Sequence, residues 1–139
     1  MTMKIVLDTN TVISALIWTG APHQILKLKA HRNLSLFTSP FLLNELDRVL
    51  HYPKIVKILQ KRSLEPADLL FAYLSVSHLI NPVQLPNVSR DSDDNHVLAC
   101  ALEAKADLIV SGDDDLLTLQ SFRSIPIKNA SDALRLIEL

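Results

Sequence analysis

The chain has 139 residues, of which 48% are apolar, 21% are charged and two are glycine. This length and composition indicate one domain, residues 1–139, with a real core, and exclude two ordinary domains or a disordered chain. Cys100 is the single cysteine and has no partner for an internal disulfide, and no apolar stretch approaches the roughly 20 residues of a membrane span. We therefore expect a cytoplasmic protein without a signal peptide, in which Cys100 is a small buried residue.

The formal net charge of −1 conceals an uneven distribution of acidic residues. Eight of the 15 acidic residues fall in a few short places, and the rest of the chain then carries 14 basic against seven acidic residues. An acidic spot on a basic body suits a polyanionic substrate held over bound cations, although surface composition without a function would look the same. The eight are Asp8, Glu45, Asp91, Asp93, Asp94, Asp113, Asp114 and Asp115.

The first half of the chain combines short apolar strands with amphipathic helices. Pro22, Pro40, Pro53 and Pro66 each suit the first turn of a helix, and Ser39 is a good N-cap for the helix at Pro40. The predicted elements are a strand at Lys4–Leu7, a helix ending at Ile17, a helix from Pro22 to about His31, a strand at Leu34–Thr38, and helices over Pro40–Leu50, Pro53–Arg62 and Pro66–Val76.

The second half continues the alternation after an irregular stretch at 82–92. Strands that alternate with helices favour an α/β fold with a parallel sheet and helices on both faces. The predicted elements are a strand at His78–Asn81, a helix at Asp93–Ala104, a strand at Asp107–Ser111, a helical turn after Gly112, a weak strand at Ile125–Ile127 and a final helix capped by Ser131.

Four acidic residues are predicted to meet at one edge of this sheet. Asp8 and Asp113 come just after the first and fourth strands, Asp94 lies in the first turn of its helix, and Glu45 lies in the second turn of the helix after strand two. In a parallel α/β sheet the carboxyl ends of the strands share one edge, and ligands bind there. We therefore expect these carboxylates to form the functional site.

Two of these carboxylates also lie on the apolar faces of their helices. Glu45 falls in the stripe that contains Leu42 and Val49, and Asp94 precedes Val97 by three residues. An ionised carboxylate that faces inward is unfavourable unless it is paired or bound to metal. No Lys or Arg partner is evident on these faces, so a bound cation is expected.

Several acidic residues have a purely structural interpretation as well. Asp8 could cap the first helix, and Asp93 is predicted to be the N-cap of the helix at 93–104. Asp114 is expected to be solvated, and Asp115 to be either a cap or an outer ligand. The sequence lacks zinc-type Cys/His spacing, a glycine-rich phosphate loop and a nucleophile elbow.

In order and spacing, four motifs resemble those of the PIN-domain nucleases, particularly the branch of toxin components from bacterial toxin–antitoxin pairs. The last motif has Ser111 where threonine is commoner, and Ser92 stands where that branch often has proline. Neither difference removes a carboxylate. The motifs are Val6-Leu7-Asp8-Thr9-Asn10, Glu45, Asp91-Ser92-Asp93-Asp94-Asn95 and Ile109-Val110-Ser111-Gly112-Asp113.

The resemblance implies a three-layer α/β/α fold around a five-stranded parallel sheet of order 3-2-1-4-5. It also implies RNA cleavage with Mg²⁺ or Mn²⁺, frequent homodimers, and a separate antitoxin protein as partner. By position, the family's acidic quartet corresponds to Asp8, Glu45, Asp94 and Asp113, with Asp115 as a possible fifth residue and with Asn10 and Ser111 in supporting polar positions.

The expected division of roles follows from the preference of Mg²⁺ for oxygen ligands. Asp8 and Asp113 are predicted to be direct metal ligands, with Asp94 direct or through water, and Glu45 holding a metal-bound water or acting as a base. For RNA binding we expect a basic stripe at Lys54, Lys57 and Lys61, and a second patch at Lys27, Lys29, His31 and Arg32; a solvated helix face is equally compatible.

Two other functions remain open from the sequence. A phosphotransfer or phosphatase domain also has an aspartate after its first strand, but usually has another two residues later, where this chain has Asn10. A non-catalytic module that binds RNA or protein would not need the acidic quartet. Trp18, the only tryptophan, is expected to pack in the core or against a partner rather than to stack on a base.

Overall fold

The computed structural model describes residues 2–29 and 33–138. Its strands are β1 (Met3–Leu7), β2 (Leu34–Thr38), β3 (Ser77–Leu79), β4 (Leu108–Val110), β5 (Ser121–Phe122) and β6 (Ile125–Lys128). Its helices are α1 (Thr9–Ile17), α2 (Ala21–Lys29), α3 (Pro40–Leu50), α4 (Pro53–Lys61), α5 (Pro66–Val76), α6 (Ser92–Ala104), α7 (Asp114–Leu117) and α8 (Ala130–Glu138).

The strands form one sheet in the order β3-β2-β1-β4-β6-β5. All neighbours from β3 to β6 are parallel, so the predicted order 3-2-1-4-5 is confirmed, with β6 as the predicted fifth strand. The sixth strand, β5, was not predicted and pairs antiparallel with β6. Arg123 and Ser124 connect the two with positive φ values of 48° and 69°, a conformation that usually selects Asn or Gly, so no turn signal marks this hairpin in the sequence.

Alternating side chains of the central strands fill two cores, one on each face of the sheet. Ile5 and Leu108 face the layer that contains α1, α2, α5 and α8. Val6 and Ile109 face the opposite layer, which contains α6. All four are fully buried, and each contributes on the order of 1.5–3 kcal/mol of hydrophobic stabilisation. The predicted three-layer α/β/α architecture is confirmed.

The ends of three elements differ from the sequence prediction. Asp91, not Asp93, is the N-cap of α6, because its extended backbone lets its carboxylate accept from the Asp93 amide at 3.0 Å. Asn129, not Ser131, caps α8 by accepting from the Asp132 amide at 2.8 Å. The third strand lies at Ser77–Leu79 rather than 78–81, since its pairing with β2 begins at residue 77.

The burial of Cys100 and the lengths of the helices bear on two further expectations from the sequence. Cys100 is completely buried as expected, and burial raises the pKa of its thiol to about 12, so it is not a nucleophile. Among residues 2–29 and 33–138, no helix is long and apolar enough to cross a membrane.

Candidate active site

A cavity of about 530 Å³ opens at the carboxyl edge of the sheet, beside the ends of β1 and β4. The four carboxylates predicted from the sequence all line it, although they come from four separate parts of the chain. Two further aspartates from the start of α6 join them. The acidic lining consists of Asp8, Glu45, Asp91, Asp93, Asp94 and Asp113.

The tightest acidic group within the cavity consists of Asp91, Asp94 and Asp113. Each offers one carboxylate oxygen, and these oxygens lie within 4.8 Å of one another. Burial, followed by the charge of Asp113, its hydrogen bond and the charge of Asp91, raises the pKa of Asp94 to about 7. The Ser89 hydroxyl donates to Asp94 at 3.3 Å and opposes this shift. Neighbouring groups therefore do not fully compensate the negative charge of these three carboxylates.

Asp8 has both a structural role and a place in the site. One of its carboxylate oxygens accepts from the Thr11 amide at 2.9 Å and caps α1. The other accepts from the hydroxyl of Ser111, which is fully buried. The same Ser111 oxygen accepts from the Asp113 amide at 3.0 Å. Ser111 thus fixes Asp8 and Asp113 relative to each other across the ends of β1 and β4.

Glu45 lies at the side of the cavity, with only 14% of its side chain exposed. The Thr9 hydroxyl donates to one of its oxygens. Burial is the main cause that raises the pKa of Glu45, and the neighbouring Asp93 raises it further. The expectation that no cationic side chain reaches this face was wrong, because Arg48, one helical turn later, lies 3.8 Å from the second oxygen.

The ligand atoms that this cavity offers suit a hard divalent cation. Asp91, Asp94 and Asp113 provide only carboxylate oxygens, the donor type that Mg²⁺ and Mn²⁺ prefer. Within the described ranges 2–29 and 33–138, no ion pair joins any of the three to a Lys, Arg or His. A cation would supply the compensation that the protein itself does not.

Residues 4–115 match the PIN-domain family, which covers all the residues just described. The chain belongs to the PIN-domain family. Members of this family are generally metal-dependent nucleases, in keeping with the acidic cavity.

Relatives and solved structures agree with this assignment. This PIN domain is 42% identical over 121 residues to the uncharacterized protein MJ1680 of Methanocaldococcus jannaschii, a match that covers 85% of this chain and 76% of that protein. Its fold is similar to that of a chain in the crystal structure of VapBC2 from Rickettsia felis bound to a DNA fragment from the VapBC2 promoter. The TM-score is 0.64 at 16% identity, and the match covers 91% of this chain and 98% of that chain. It is also similar to that of PAE2754 from Pyrobaculum aerophilum (TM-score 0.59, 15% identity, 98% and 90% covered).

The remaining residues predicted from the sequence are distributed unevenly around the site of this PIN domain. Asn10 is exposed and lines the cavity. Asp115 is not among the lining residues, and its carboxylate accepts from Arg90 at 3.0 Å instead. Asp91 and Asp93 line the cavity as well, although neither was predicted to be a site residue. The dense run of acidic residues at 91–94 was the feature of the sequence that could have indicated them.

The predicted basic stripe lies on α4. Lys54, Lys57 and Lys61 are all exposed, but only Lys54 lines the cavity, and the other two follow further along the helix. The second predicted patch includes His31 and Arg32, which lie outside the described residues.

Replacing Ser111 tests its bridging role. We expect Ser111→Ala to lower nuclease activity about 10-fold to 100-fold, because Ser111 orients Asp8 and Asp113, which are predicted to be metal ligands, and loss of an orienting group usually has an effect of this size. Ser111→Thr keeps the hydroxyl and should retain most of the activity. Both rates are measured on one RNA at saturating metal, with circular dichroism to verify folding; equal activity of the Ala variant and the unaltered protein would contradict the role.

Proposed function

We propose that this PIN domain is a Mg²⁺- or Mn²⁺-dependent endoribonuclease that hydrolyses RNA phosphodiester bonds in the acidic cavity. The observation that carries the proposal is the convergence of Asp91, Asp94 and Asp113 within 4.8 Å, in a cavity that Asp8 and Glu45 also line. The basic residues outside the cavity suit the phosphates of a long polyanion.

In this proposal Asp94, Asp113 and Asp8 hold the cation, with Asp91 as a further ligand from the start of α6. When bound, the cation activates water and stabilises negative charge on the phosphate. Ser111 keeps Asp8 and Asp113 in register, and Thr9 orients Glu45. Glu45 would take a proton from the attacking water, and because burial raises the pKa of Glu45 above its ordinary value, it is a stronger base than an exposed glutamate.

We further propose that the protein acts as the toxin of a toxin–antitoxin pair, in the cytoplasm, with a separate antitoxin and as a homodimer. The motif resemblance to toxin components supports this, as does the similarity of fold to VapBC2. Size-exclusion chromatography with light scattering tests the dimer. Relief of growth arrest by co-expression of the adjacent reading frame tests the antitoxin.

The phosphotransfer alternative loses its support. Asn10 occupies the position where such a domain would have its second aspartate, and the family assignment covers the same motif. Insensitivity of the protein to beryllofluoride, an acyl-phosphate mimic, would agree with this.

Metal removal is the direct test of the proposed reaction. We expect EDTA to abolish cleavage of a panel of RNAs, and an excess of Mg²⁺ or Mn²⁺ to restore it, because the group of Asp91, Asp94 and Asp113 would otherwise repel the phosphate instead of binding it. An Asp8→Asn preparation purified in parallel controls for contaminating nucleases. RNA binding without turnover in Mn²⁺, unchanged by chelation and by Asp8→Asn, would instead identify a non-catalytic binding module.

A further inference from the structure

Two aromatic rings line the cavity in addition to its acidic residues. Trp18 and Tyr52 both line the cavity, and they are 46% and 47% exposed. Of the two expectations for Trp18, packing in the core is therefore wrong, and packing against a partner stays a prediction. Partly buried side chains of Ile55 and Ile58 line the same cavity. The two half-exposed rings therefore share the cavity with apolar side chains.

Backbone hydrogen bonds fix the main chain of both Trp18 and Tyr52 at the cavity. Trp18 is the C-cap of α1, and its amide donates to the Ser14 carbonyl at 3.0 Å. The Arg62 guanidinium lies 5.3 Å from the centre of the Trp18 ring and donates to the Ile17 carbonyl. Tyr52 precedes α4, and its amide donates to the Val49 carbonyl at 3.0 Å. The backbone of both residues is therefore held by hydrogen bonds at the cavity.

Positive charge accompanies the rings. Lys54 and Arg48 line the cavity together with Trp18, Tyr52 and the carboxylates, and Arg48 lies 3.8 Å from a carboxylate oxygen of Glu45. A ligand that fits must therefore present both planar apolar faces and negative groups. A nucleic acid strand with unpaired bases has this alternation, since every base offers a π-face and every link a phosphate. In a duplex the base faces are occupied by their neighbours.

We infer that Trp18 and Tyr52 form a base-stacking subsite for unpaired nucleotides next to the phosphate at the acidic group, with Lys54 and Arg48 contacting adjacent phosphates. This inference rests on the proposed function, because it assigns the substrate strand to the same cavity. Stacking on aromatic side chains tolerates different bases. The subsite accordingly selects single-stranded character rather than one sequence.

The test uses the fluorescence of Trp18, the only tryptophan in the chain. To prevent cleavage while the cation stays bound, the whole protein carrying Glu45→Gln, which lacks the proposed base but keeps the proposed metal ligands, is titrated in Mg²⁺. The ligands are single-stranded oligoadenylate and oligouridylate, an abasic oligomer of the same length, and a perfectly paired RNA duplex. We expect the two single strands to quench the fluorescence, and the abasic and duplex oligomers to bind more weakly without quenching. Equal quenching by all four, or binding of single strands without quenching, would overturn the subsite.

Variants extend the test to affinity, measured by anisotropy of a labelled single strand. Trp18→Ala and Tyr52→Ala are expected to weaken binding about 5-fold to 100-fold, and Trp18→Phe and Tyr52→Phe to retain most of it. Phe71→Ala is the matched control, because Phe71 is 66% exposed on α5 and does not line the cavity. Thermal unfolding verifies that each variant folds.

The binding test of the stacking subsite and the cleavage test of the nuclease proposal can fail independently of each other. Loss of single-strand binding in the two Ala variants supports the subsite whether or not the protein cleaves RNA. Metal-dependent cleavage together with unchanged binding in both Ala variants would refute the subsite and leave the nuclease proposal intact. Unchanged binding of the labelled single strand in both Ala variants, together with loss of binding to the co-expressed antitoxin, would make Trp18 and Tyr52 a protein-docking surface and also refute the subsite.

Discussion

Asp113→Asn is expected to lower RNA cleavage at least about 100-fold, because it removes the charge of a proposed metal ligand rather than of a group that merely supports one. The fold should survive the change. Asp113 caps α7 by accepting from the Asp115 amide at 2.8 Å, and the amide oxygen of Asn can accept the same hydrogen bond. Single-turnover rates in Mg²⁺ and in Mn²⁺ provide the measurement.

Asp114→Asn is the matched control for this variant. Asp114 is exposed in the first turn of the same helix and does not line the cavity, so the identical change in charge should leave cleavage unchanged. If both variants lost activity equally, a general charge effect would replace the metal-ligand role. If neither did, Asp113 would not be part of the active site.

Asp94→Asn is expected to stabilise the metal-free protein at pH 8 by about 2 to 4 kcal/mol, since one pKa unit corresponds to about 1.4 kcal/mol. Asp94 is buried, and its pKa rises from 3.8 in the unfolded reference to about 7 in the fold. Above neutral pH it must therefore be ionised among Asp113 and Asp91. Asn removes that charge and can still accept the hydrogen bond from Ser89.

The pH dependence follows from the direction of this shift. Between about pH 4 and pH 7 the folded protein holds a proton on Asp94 that the unfolded chain has released, so this group's contribution to stability falls as pH rises through that window. The melting-temperature difference between Asp94→Asn and the unaltered protein, both in EDTA, should grow from pH 4 to pH 8. A difference in melting temperature that is constant with pH would show that ionisation of Asp94 does not destabilise the fold.

Much of the fold could be predicted because its strands are short, apolar and separated by amphipathic helices. The carboxyl edge followed from chain order alone, which placed Asp8 and Asp113 at the ends of the central neighbours β1 and β4. The β5–β6 hairpin could not be predicted, because Arg123 and Ser124 adopt positive φ without the residues that usually announce such a turn. Tertiary pairing of Phe122 with Ile125 decides it.

The site was predicted in its composition but not in its internal arrangement. Sequence spacing selected Asp94 from the run at 91–94, whereas the structure also brings Asp91 and Asp93 to the cavity. Spacing along a helix indicates which residues lie on the same face. Asp91 precedes the helix, so the path of the loop determines its position instead. The pairing of Arg48 with Glu45 agrees with their spacing of three residues on a helix, although Arg48 lies outside the apolar stripe on which a partner was sought.

The buried side-chain amide of Asn95 makes the geometry of the site independent of the length of the segment before it. The Asn95 side-chain oxygen accepts from the backbone amides of Val88 and Ser89, at 3.0 and 2.8 Å, and its nitrogen donates to the Ser89 carbonyl. The chain is thus fastened to α6 immediately ahead of Asp91. Insertions or deletions at 84–87 would be absorbed upstream of this anchor, so the segment can diverge in length during evolution while the acidic group keeps its shape.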